Sequence, residues 1–388
     1  MRNPPGSPEP RILVLFSDTG GGHRSAAEAV VEALQESHGG EFSFEMVDAF
    51  KAYAPYPLNK MPSWYPELVR WPRAWEIAFR ATDGYGRSRA FTATLWPWVQ
   101  NAARQLVREH PADMVLNFHP LFNAPVLHAL GKRRPPFITV VTDLVSTHAL
   151  WFHRRTDLCL VPTEPARNRG LMYGLPSDRI RVVGLPVKKR FCVPPGDKAE
   201  LRTRLGWPVD GRVVLVVGGG EGMGPLYETA REVADLNSNC AIAIIAGRNE
   251  ALRERLQRST WEVPVFVYGF VTEMPDLMRA ADLLVTKAGP GTISEALNAG
   301  LPMVLYSRLP GQEDGNVQYV VEEGAGLWAP GPQRTARAVA EMLADPARLE
   351  RATRSCHRLA RPQAAEQVAS LAWEALRRNP YPTGSLKS

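Results

Sequence analysis

The stretch DLLVTKAGPGTISEALNAGLPMVLYSRLPGQEDGN, from Asp282 to Asn316, restricts the fold more than any other part of the chain. Its apolar run Leu283-Leu284-Val285 has the composition of a buried strand. Gly289-Pro290-Gly291 then turns the chain: the proline fixes φ, and the glycines let backbone come close to a ligand. Thr292 is a good N-cap, and Ile293 to Ala299 reads as a helix ended by Gly300 and Pro302. Met303 to Tyr306 is the next strand. Strand, glycine turn, helix, strand is a βαβ unit, so the two strands are parallel neighbours in an α/β sheet. The N-terminus of its helix offers N–H groups to an anion.

Two readings of Glu295 stand side by side here. A carboxylate in the first turn is favoured by the helix dipole alone. Were a diphosphate to occupy the helix end, that carboxylate would repel it unless it accepted hydrogen bonds from the hydroxyls of an attached ribose. Gly291, Thr292 and Glu295 would then together read a nucleoside diphosphate. Gln312, Glu313 and Asn316 fall in a polar loop at the carboxyl ends of the strands. Open α/β sheets bind ligands there, and amides and carboxylates suit sugar hydroxyls.

The same pattern opens both halves of the chain. Arg11 to Ser17 reads as a buried strand running into Asp18-Thr19-Gly20-Gly21-Gly22-His23 and a helix over roughly Ser25 to Gln35. The dinucleotide fingerprint GxGxxG is not met, because Ser25 stands where the third glycine belongs. Asp48 ends the following strand later than a ribose-binding acid would, which disfavours an oxidoreductase. His23 lies at the mouth of the first strand-to-helix turn. A structural donor and a general base both fit it, the second because an unperturbed imidazole titrates near neutrality. Gly21 and Gly22 flank it. Asn117, His119 and Asn123 follow the strand Asp113 to Phe118, and Asp143, His148, Trp151, Phe152 and His153 follow the strand Phe137 to Thr142. All fall at carboxyl ends, so they are expected to face one cleft. His148 and His153 have no carboxylate or cysteine at matching spacing, and no metal site is expected from them.

Further short strands are Leu158 to Pro162 and Ile180 to Val183, and Gly184-Leu185-Pro186 with Val193-Pro194-Pro195-Gly196 marks a linker. The second half restarts with the strand Arg212 to Val217 and the glycine turn from Gly218 to Gly224, which includes Gly219 and Gly220. Strands Ala241 to Ala246 and Val265 to Tyr268 end at Gly247-Arg248 and at Gly269-Phe270-Val271. Two Rossmann-like halves joined by a short linker imply two domains facing a central cleft.

Between Tyr53 and Trp98 the composition changes. Trp64, Trp71, Trp75, Trp96 and Trp98 are interleaved with tyrosines (Tyr53, Tyr56, Tyr65, Tyr85) and with arginines (Arg70, Arg73, Arg80, Arg87, Arg89). Aromatic rings among arginines suit a membrane interface, and the same mixture can stack nucleic-acid bases. The plainer alternative is an insertion that packs its aromatics on the first domain. No apolar run approaches the length of a membrane span. The four cysteines, Cys159, Cys192, Cys240 and Cys356, form no CxxC pair and fit a reducing compartment. A net charge of +6 is compatible with acidic lipid, nucleic acid or phosphorylated substrates.

GGGHRSAAEA, VTDLVSTHALWFHR, VYGFVTEMPDLMRAADLLVTKAGPGTISEA and PGQEDGNVQYVVEEGAG resemble the monogalactosyldiacylglycerol synthases of plants and bacteria. The bacterial diacylglycerol glucosyltransferases, and more distantly the transferase that makes the second lipid-linked precursor of peptidoglycan, share this architecture. The resemblance runs from Arg11 to about Ala365. It implies a GT-B fold and an inverting, metal-independent transfer of a hexose from a UDP-sugar to diacylglycerol at an anionic membrane surface, with no nucleic-acid partner. The pattern KAGPGT is nearer to the galactosyl than to the glucosyl enzymes. By position the resemblance makes His23 the base. It puts Phe270 and Val271 on the uracil, Gly289, Gly291 and Thr292 on the diphosphate, and Glu295 on the ribose. Gln312, Glu313 and Asn316 face the sugar, and Gly219, Gly220 and Arg248 lie on the donor side. Gly21, Gly22, His119, Asp143, His148 and Trp151 are placed on the acceptor side, and Trp64, Trp71 and Trp75 at the membrane. The implied domains are a disordered 1–10, an acceptor and membrane domain 11–186 with the aromatic insertion 53–98, and a UDP-sugar domain 187–365. A last segment, 366–388, would hold a helix and tail that can pack back on the first domain. Without a long plastid-type N-terminal extension, the expected place is the cytoplasm, peripherally on the inner face of the plasma membrane. The alternative within the same fold is a UDP-sugar transferase acting on an existing glycolipid or a peptidoglycan precursor.

Overall fold

Apolar runs read as strands build two all-parallel sheets in this computed structural model, which describes residues 9–379 apart from 20, 62, 65–70, 195, 223 and 237–239. The chain divides into two compact units. One comprises the residues up to Lys189 together with those from Gln363 onward, and the other is Arg190–Pro362. Of the expected disordered start, residues 1–8 lie outside the described residues, as does the tail from 380 onward.

The first unit carries strands β1 (Arg11–Phe16), β2 (Ser43–Asp48), β3 (Met114–Asn117), β4 (Phe137–Val140), β5 (Leu158–Val161) and β6 (Ile180–Val182), in the order β2-β1-β3-β4-β5-β6. Along β1 the side chains alternate between faces. Ile12, Val14 and Phe16 pack against the helix Gly22–His38 and the last helix, Ala364–Arg377. Leu13 and Leu15 pack on the opposite face with Phe50, Leu106 and Leu127. Small residues on the two helices, Ala26, Ala29 and Ala33 against Ala369 and Ala372, belong to one buried cluster. That cluster is why the last helix is part of this unit.

The second unit repeats the design with β7 (Arg212–Val217), β8 (Cys240–Ile245), β9 (Val265–Tyr268), β10 (Leu283–Lys287), β11 (Met303–Ser307) and β12 (Gly326–Trp328), ordered β12-β11-β10-β7-β8-β9. The sequence reading missed β12. Three residues, only the first of them buried, give too short an apolar run to register. At the amino ends of β7 and β10 a buried carboxylate ties the sheet to the helix Lys198–Leu205. Asp282 accepts from Val213 N–H (2.8 Å) and pairs with Arg202 (2.5 Å) and Lys198 (3.0 Å). Burial alone would raise its pKa, but Lys198, the Val213 N–H and Arg202 together hold it below the usual carboxylate range.

Two helix starts differ from the sequence reading. The helix Gly22–His38 opens three residues before Ser25, because Gly21 takes the left-handed conformation (φ 79°) that starts it. The helix Pro290–Asn298 opens at Pro290, so Thr292 is its third residue and not its N-cap. Proline at the first position is pre-set for helix, and Gly289 supplies the extended residue before it. Glu295 consequently stands in the second turn, where the dipole explanation for a carboxylate weakens.

The aromatic segment is helical over Pro72–Thr82 and again over the 25-residue helix Tyr85–Glu109, which carries Pro97 inside it. The expected end of the insertion at Trp98 therefore falls in mid-helix. Past that point Ala103 and Leu106 are buried, and Leu106 joins the core beside β1.

Candidate functional site

In a doubly wound sheet the strand order reverses at one place, and ligands bind outside the carboxyl ends there. In the second unit this place lies between β7 and β10, which pair directly. The chain leaves β7 through the turn holding Gly219 and Gly220 and leaves β10 through Ala288 and Gly289. Gly247 closes over the first turn: Arg248 N–H donates to the Gly220 carbonyl (2.9 Å). A Cβ on Gly247 would lie 2.3 Å from that carbonyl oxygen, and its φ of +62° also favours glycine. Arg248 pairs with Glu221 (2.8 Å) and sits 4.2 Å above the exposed ring of Phe270, next to Val271. This ring and guanidinium stack was not foreseen, because Glu221, Arg248 and Phe270 come from three separate turns.

Beside these, the helix Pro290–Asn298 presents its first turn. Geometry leaves the N–H groups of Gly291 and Thr292 pointing outward, and nothing lies within 4 Å of where a Cβ on Gly291 would be. Glu295 follows Gly291 by four residues and Thr292 by three, so all three share one face. The loop after β11 is held rather than open. Glu313, 3% exposed, accepts from Leu309 N–H (2.7 Å) and from Lys287 Nζ (3.2 Å). Asn316 is buried and donates to the Ala288 carbonyl (2.9 Å), and Gln312 is half-buried alongside.

In the first unit the reversal lies between β1 and β3. His23, in the first turn of its helix, meets His119 from the end of β3 edge to face at 4.8 Å and Trp151 at 6.0 Å. Its Nδ1 is 2.6 Å from Thr142 Oγ1. Burial pushes its pKa down to about 4 against a smaller upward pull from the Phe118 carbonyl, so the ring is neutral at ordinary pH. Burial, with His23 nearby, also holds His119 well below its ordinary value. Gly21 and Gly22 are exposed at the mouth of the turn.

Trp151 is buried and donates from Nε1 to Asp143 Oδ2 (2.6 Å). The turn that carries it hangs on Asn123, which donates to the carbonyls of Leu150 (3.0 Å) and Trp151 (3.1 Å). Asn123 Oδ1 in turn accepts from Asn117 (2.8 Å) and Thr139 (2.8 Å). His148 accepts from Leu150 N–H (3.1 Å) through Nδ1 and meets Thr82 Oγ1 (3.2 Å) through Nε2, so both ring nitrogens hold structure. His153 is half-buried and its Nδ1 accepts from Arg155 N–H (3.2 Å). Thr142 was overlooked because it read only as the last residue of a strand.

Of the three tryptophans assigned to a membrane, Trp71 is 72% exposed, Trp64 is exposed and Trp75 is half-buried. Tyr56, Ile77 and Trp98 are exposed with them. Tyr65 and Arg70 lie outside the described residues. Among the described residues no helix is long and apolar enough to cross a membrane.

Residues 23–187 match the family described as monogalactosyldiacylglycerol (MGDG) synthase, and residues 213–368 match the glycosyltransferase family 28 C-terminal domain. A probable monogalactosyldiacylglycerol synthase 2, chloroplastic, from Oryza sativa subsp. japonica is 40% identical over 365 residues, spanning 91% of this chain and 78% of that protein. Monogalactosyldiacylglycerol synthase 1, chloroplastic, from Arabidopsis thaliana is 36% identical over 381 residues, spanning 95% and 71%. Among solved structures, Acinetobacter baumannii MurG superposes with a TM-score of 0.60 at 15% identity, over 94% of this chain and all of that one. Anabaena HepE in complex with UDP and glucose gives 0.56 at 15%, over 94% and 99%. At such identities these two show a shared two-domain α/β fold. The expectation of a cytoplasmic place on the inner face of the plasma membrane is overturned, because the relatives are named as chloroplastic proteins. The short segment ahead of Arg11 is no guide to location.

Proposed function

The chain belongs to the monogalactosyldiacylglycerol synthase family, and from that premise we propose that it transfers galactose from a UDP-sugar to diacylglycerol, with inversion and without a metal. The observation that carries the donor half is the turn Gly289-Pro290-Gly291 opening a helix at the β7/β10 reversal, with Glu295 one turn below on the same face. Diphosphate oxygens take the Gly291 and Thr292 N–H groups, and the ribose hydroxyls take Glu295. Gly219 and Gly220 let the nucleotide lie close to backbone. The backbone of Phe270 and Val271 meets the uracil, with Arg248 above the Phe270 ring. The loop carrying Gln312, Glu313 and Asn316 lies on the hexose side, with Glu313 anchored through Oε2 by Leu309 N–H.

In the first unit the free hydroxyl of diacylglycerol lies beside His23. Its oxygen forms a bond to the anomeric carbon as the bond from that carbon to the diphosphate oxygen breaks. The electron pair of the broken bond goes to the diphosphate, and the hydroxyl proton goes to His23 Nε2 while Nδ1 remains on Thr142. Attack opposite the leaving group inverts the anomeric centre. His119, held neutral, adds no charge to oppose the new imidazolium. A helix N-terminus aimed at the developing diphosphate charge supplies the kind of stabilisation that a metal often gives. Trp64 and Trp71 meet the lipid surface with their apolar bodies.

The test is the purified protein with diacylglycerol in vesicles, given UDP-galactose and UDP-glucose separately, with and without EDTA, and lipid products separated by thin-layer chromatography. One monohexosyl lipid, formed from UDP-galactose and unaffected by EDTA, is expected. No glycolipid from either donor would refute the acceptor assignment, and loss with EDTA would refute the metal-free mechanism.

A further inference from the structure

Lys287 belongs to none of the roles assigned so far, yet its surroundings place it at the reversal point of the second sheet. It is the last residue of β10, and the pairing of β10 with β11 shifts register between Thr286 and Lys287. A register break of this kind re-aims the side chain that follows it. Here the aliphatic stem passes beside one glycine turn and the ammonium ends beside the other. A Cβ on Gly219 would lie 3.4 Å from Lys287 Cε, and a Cβ on Gly289 would lie 3.4 Å from Lys287 Nζ. Both are van der Waals contact distances, so the lysine reaches both glycine turns. Nζ is 3.2 Å from Glu313 Oε1, and Glu313 is itself fixed through Oε2 by Leu309 N–H. A cation is thus held between the two turns that flank the helix N-terminus, on a carboxylate that is anchored and nearly buried.

We propose that Lys287 is a charge-stabilising residue for the leaving group: its ammonium moves from Glu313 onto the terminal phosphate of the nucleotide as the sugar departs. The inference rests on the nucleotide-sugar reading above and deepens it. As the bond between the anomeric carbon and the diphosphate oxygen breaks, the electron pair stays on that oxygen and the diphosphate gains one negative charge. Lys287 gives up no proton; it stays an ammonium and faces the oxygen where charge accumulates. Separated from Lys287, Glu313 keeps its Leu309 N–H bond and turns its Oε1 to a sugar hydroxyl, so one movement arms both groups.

The experiment compares Lys287→Met and Lys287→Arg with the wild-type protein, measuring kcat, KM for the donor, and calorimetric affinities for UDP and for uridine. Removing a donor aimed at developing negative charge typically lowers kcat by about 10²–10³-fold. Lys287→Met is expected to show a loss of that size and weaker UDP binding. Uridine affinity should be unchanged, and Lys287→Arg should recover part of the loss. Retained uridine binding also reports an intact fold. Because Lys287→Met leaves a buried carboxylate without its ammonium, the double variant Lys287→Met/Glu313→Gln repeats the comparison with both charges removed, and the loss of UDP relative to uridine should persist. Wild-type UDP affinity and kcat in both Met variants would overturn the role of Lys287 while leaving the donor site standing. Failure of the wild-type protein to bind UDP would overturn both.

Discussion

The most exacting consequence of the first unit's geometry concerns pH. His23 is pushed down to about 4 by burial, and the partner of its Nδ1 is a neutral hydroxyl at 2.6 Å rather than a carboxylate. If His23 is the base, the acid limb of kcat/KM in the free protein reports its pKa. At pH 5.5 a group of pKa 4 is about 97% neutral, whereas an unperturbed histidine near 6.5 is about 9% neutral. The two cases differ roughly tenfold in rate relative to pH 8. Initial rates at low donor and low diacylglycerol, in zwitterionic vesicles so that surface potential does not shift local pH, should therefore be nearly flat between pH 8 and 5.5. A tenfold fall over that range that follows His23 would refute the lowered pKa described for it. The companion variant His23→Ala should lose about 10²–10⁴-fold in turnover with UDP affinity unchanged, and wild-type-like turnover would remove His23 from the chemistry.

The lower end of that range is set by stability, and the sign follows from the direction of the shift. The folded ring resists a proton that the unfolded ring accepts below about pH 6.5, so stability falls as pH drops from there to about 4 and then levels. For a shift from 6.5 to about 4, the loss at pH 5.5 is about 1.4 kcal/mol. His153, also lowered to about 4 by burial and by neighbouring cations, adds a similar amount. A domain stable by about 5–15 kcal/mol tolerates this at pH 5.5, but the margin shrinks quickly below. Circular dichroism at each assay pH separates the two effects.

Asn123→Leu should be the costliest change near the site that touches no substrate, because four hydrogen bonds meet at one buried amide. Orphaning two carbonyls costs about 2–4 kcal/mol, or roughly 5–15 °C in the first unit's melting temperature, and a shift below about 2 °C by calorimetry would show that the amide is not the hub described. For the aromatic face, Trp64→Ser with Trp71→Ser should lower flotation with vesicles on the order of tenfold or more, at roughly 1–2 kcal/mol for each exposed ring. Trp75→Ser should do much less, since that residue is half-buried; equal effects from the pair and from Trp75 would mean that exposure does not identify the contact.

What the sequence disclosed and what it withheld divide along a physical line. Continuous apolar runs such as Arg212–Val217 are buried on both faces of a parallel sheet, and such runs are legible without coordinates. Glycine turns between strand and helix are legible for the same reason, and they located Gly219, Gly289 and His23 near the two reversal points. Helix starts were read late at Thr292 and Ser25 because the chain used backbone devices, Pro290 at the first position and Gly21 at positive φ, in place of a side-chain cap. The residues missed are those whose role arises from register and from distant packing. Thr142 reads as the end of a strand until the fold sets it against His23, 119 positions away in sequence. Lys287 reads as an ordinary strand-end lysine until the shift against β11 aims it at Glu313. Electrostatics depends on such placement most of all. Nothing in the segment GGGHRS says that its histidine will lie beside the rings of His119 and Trp151 with burial lowering its pKa, and that shift decides how far into acid pH it stays a neutral acceptor. The pH profile of His23 is therefore a test of tertiary packing as much as of chemistry.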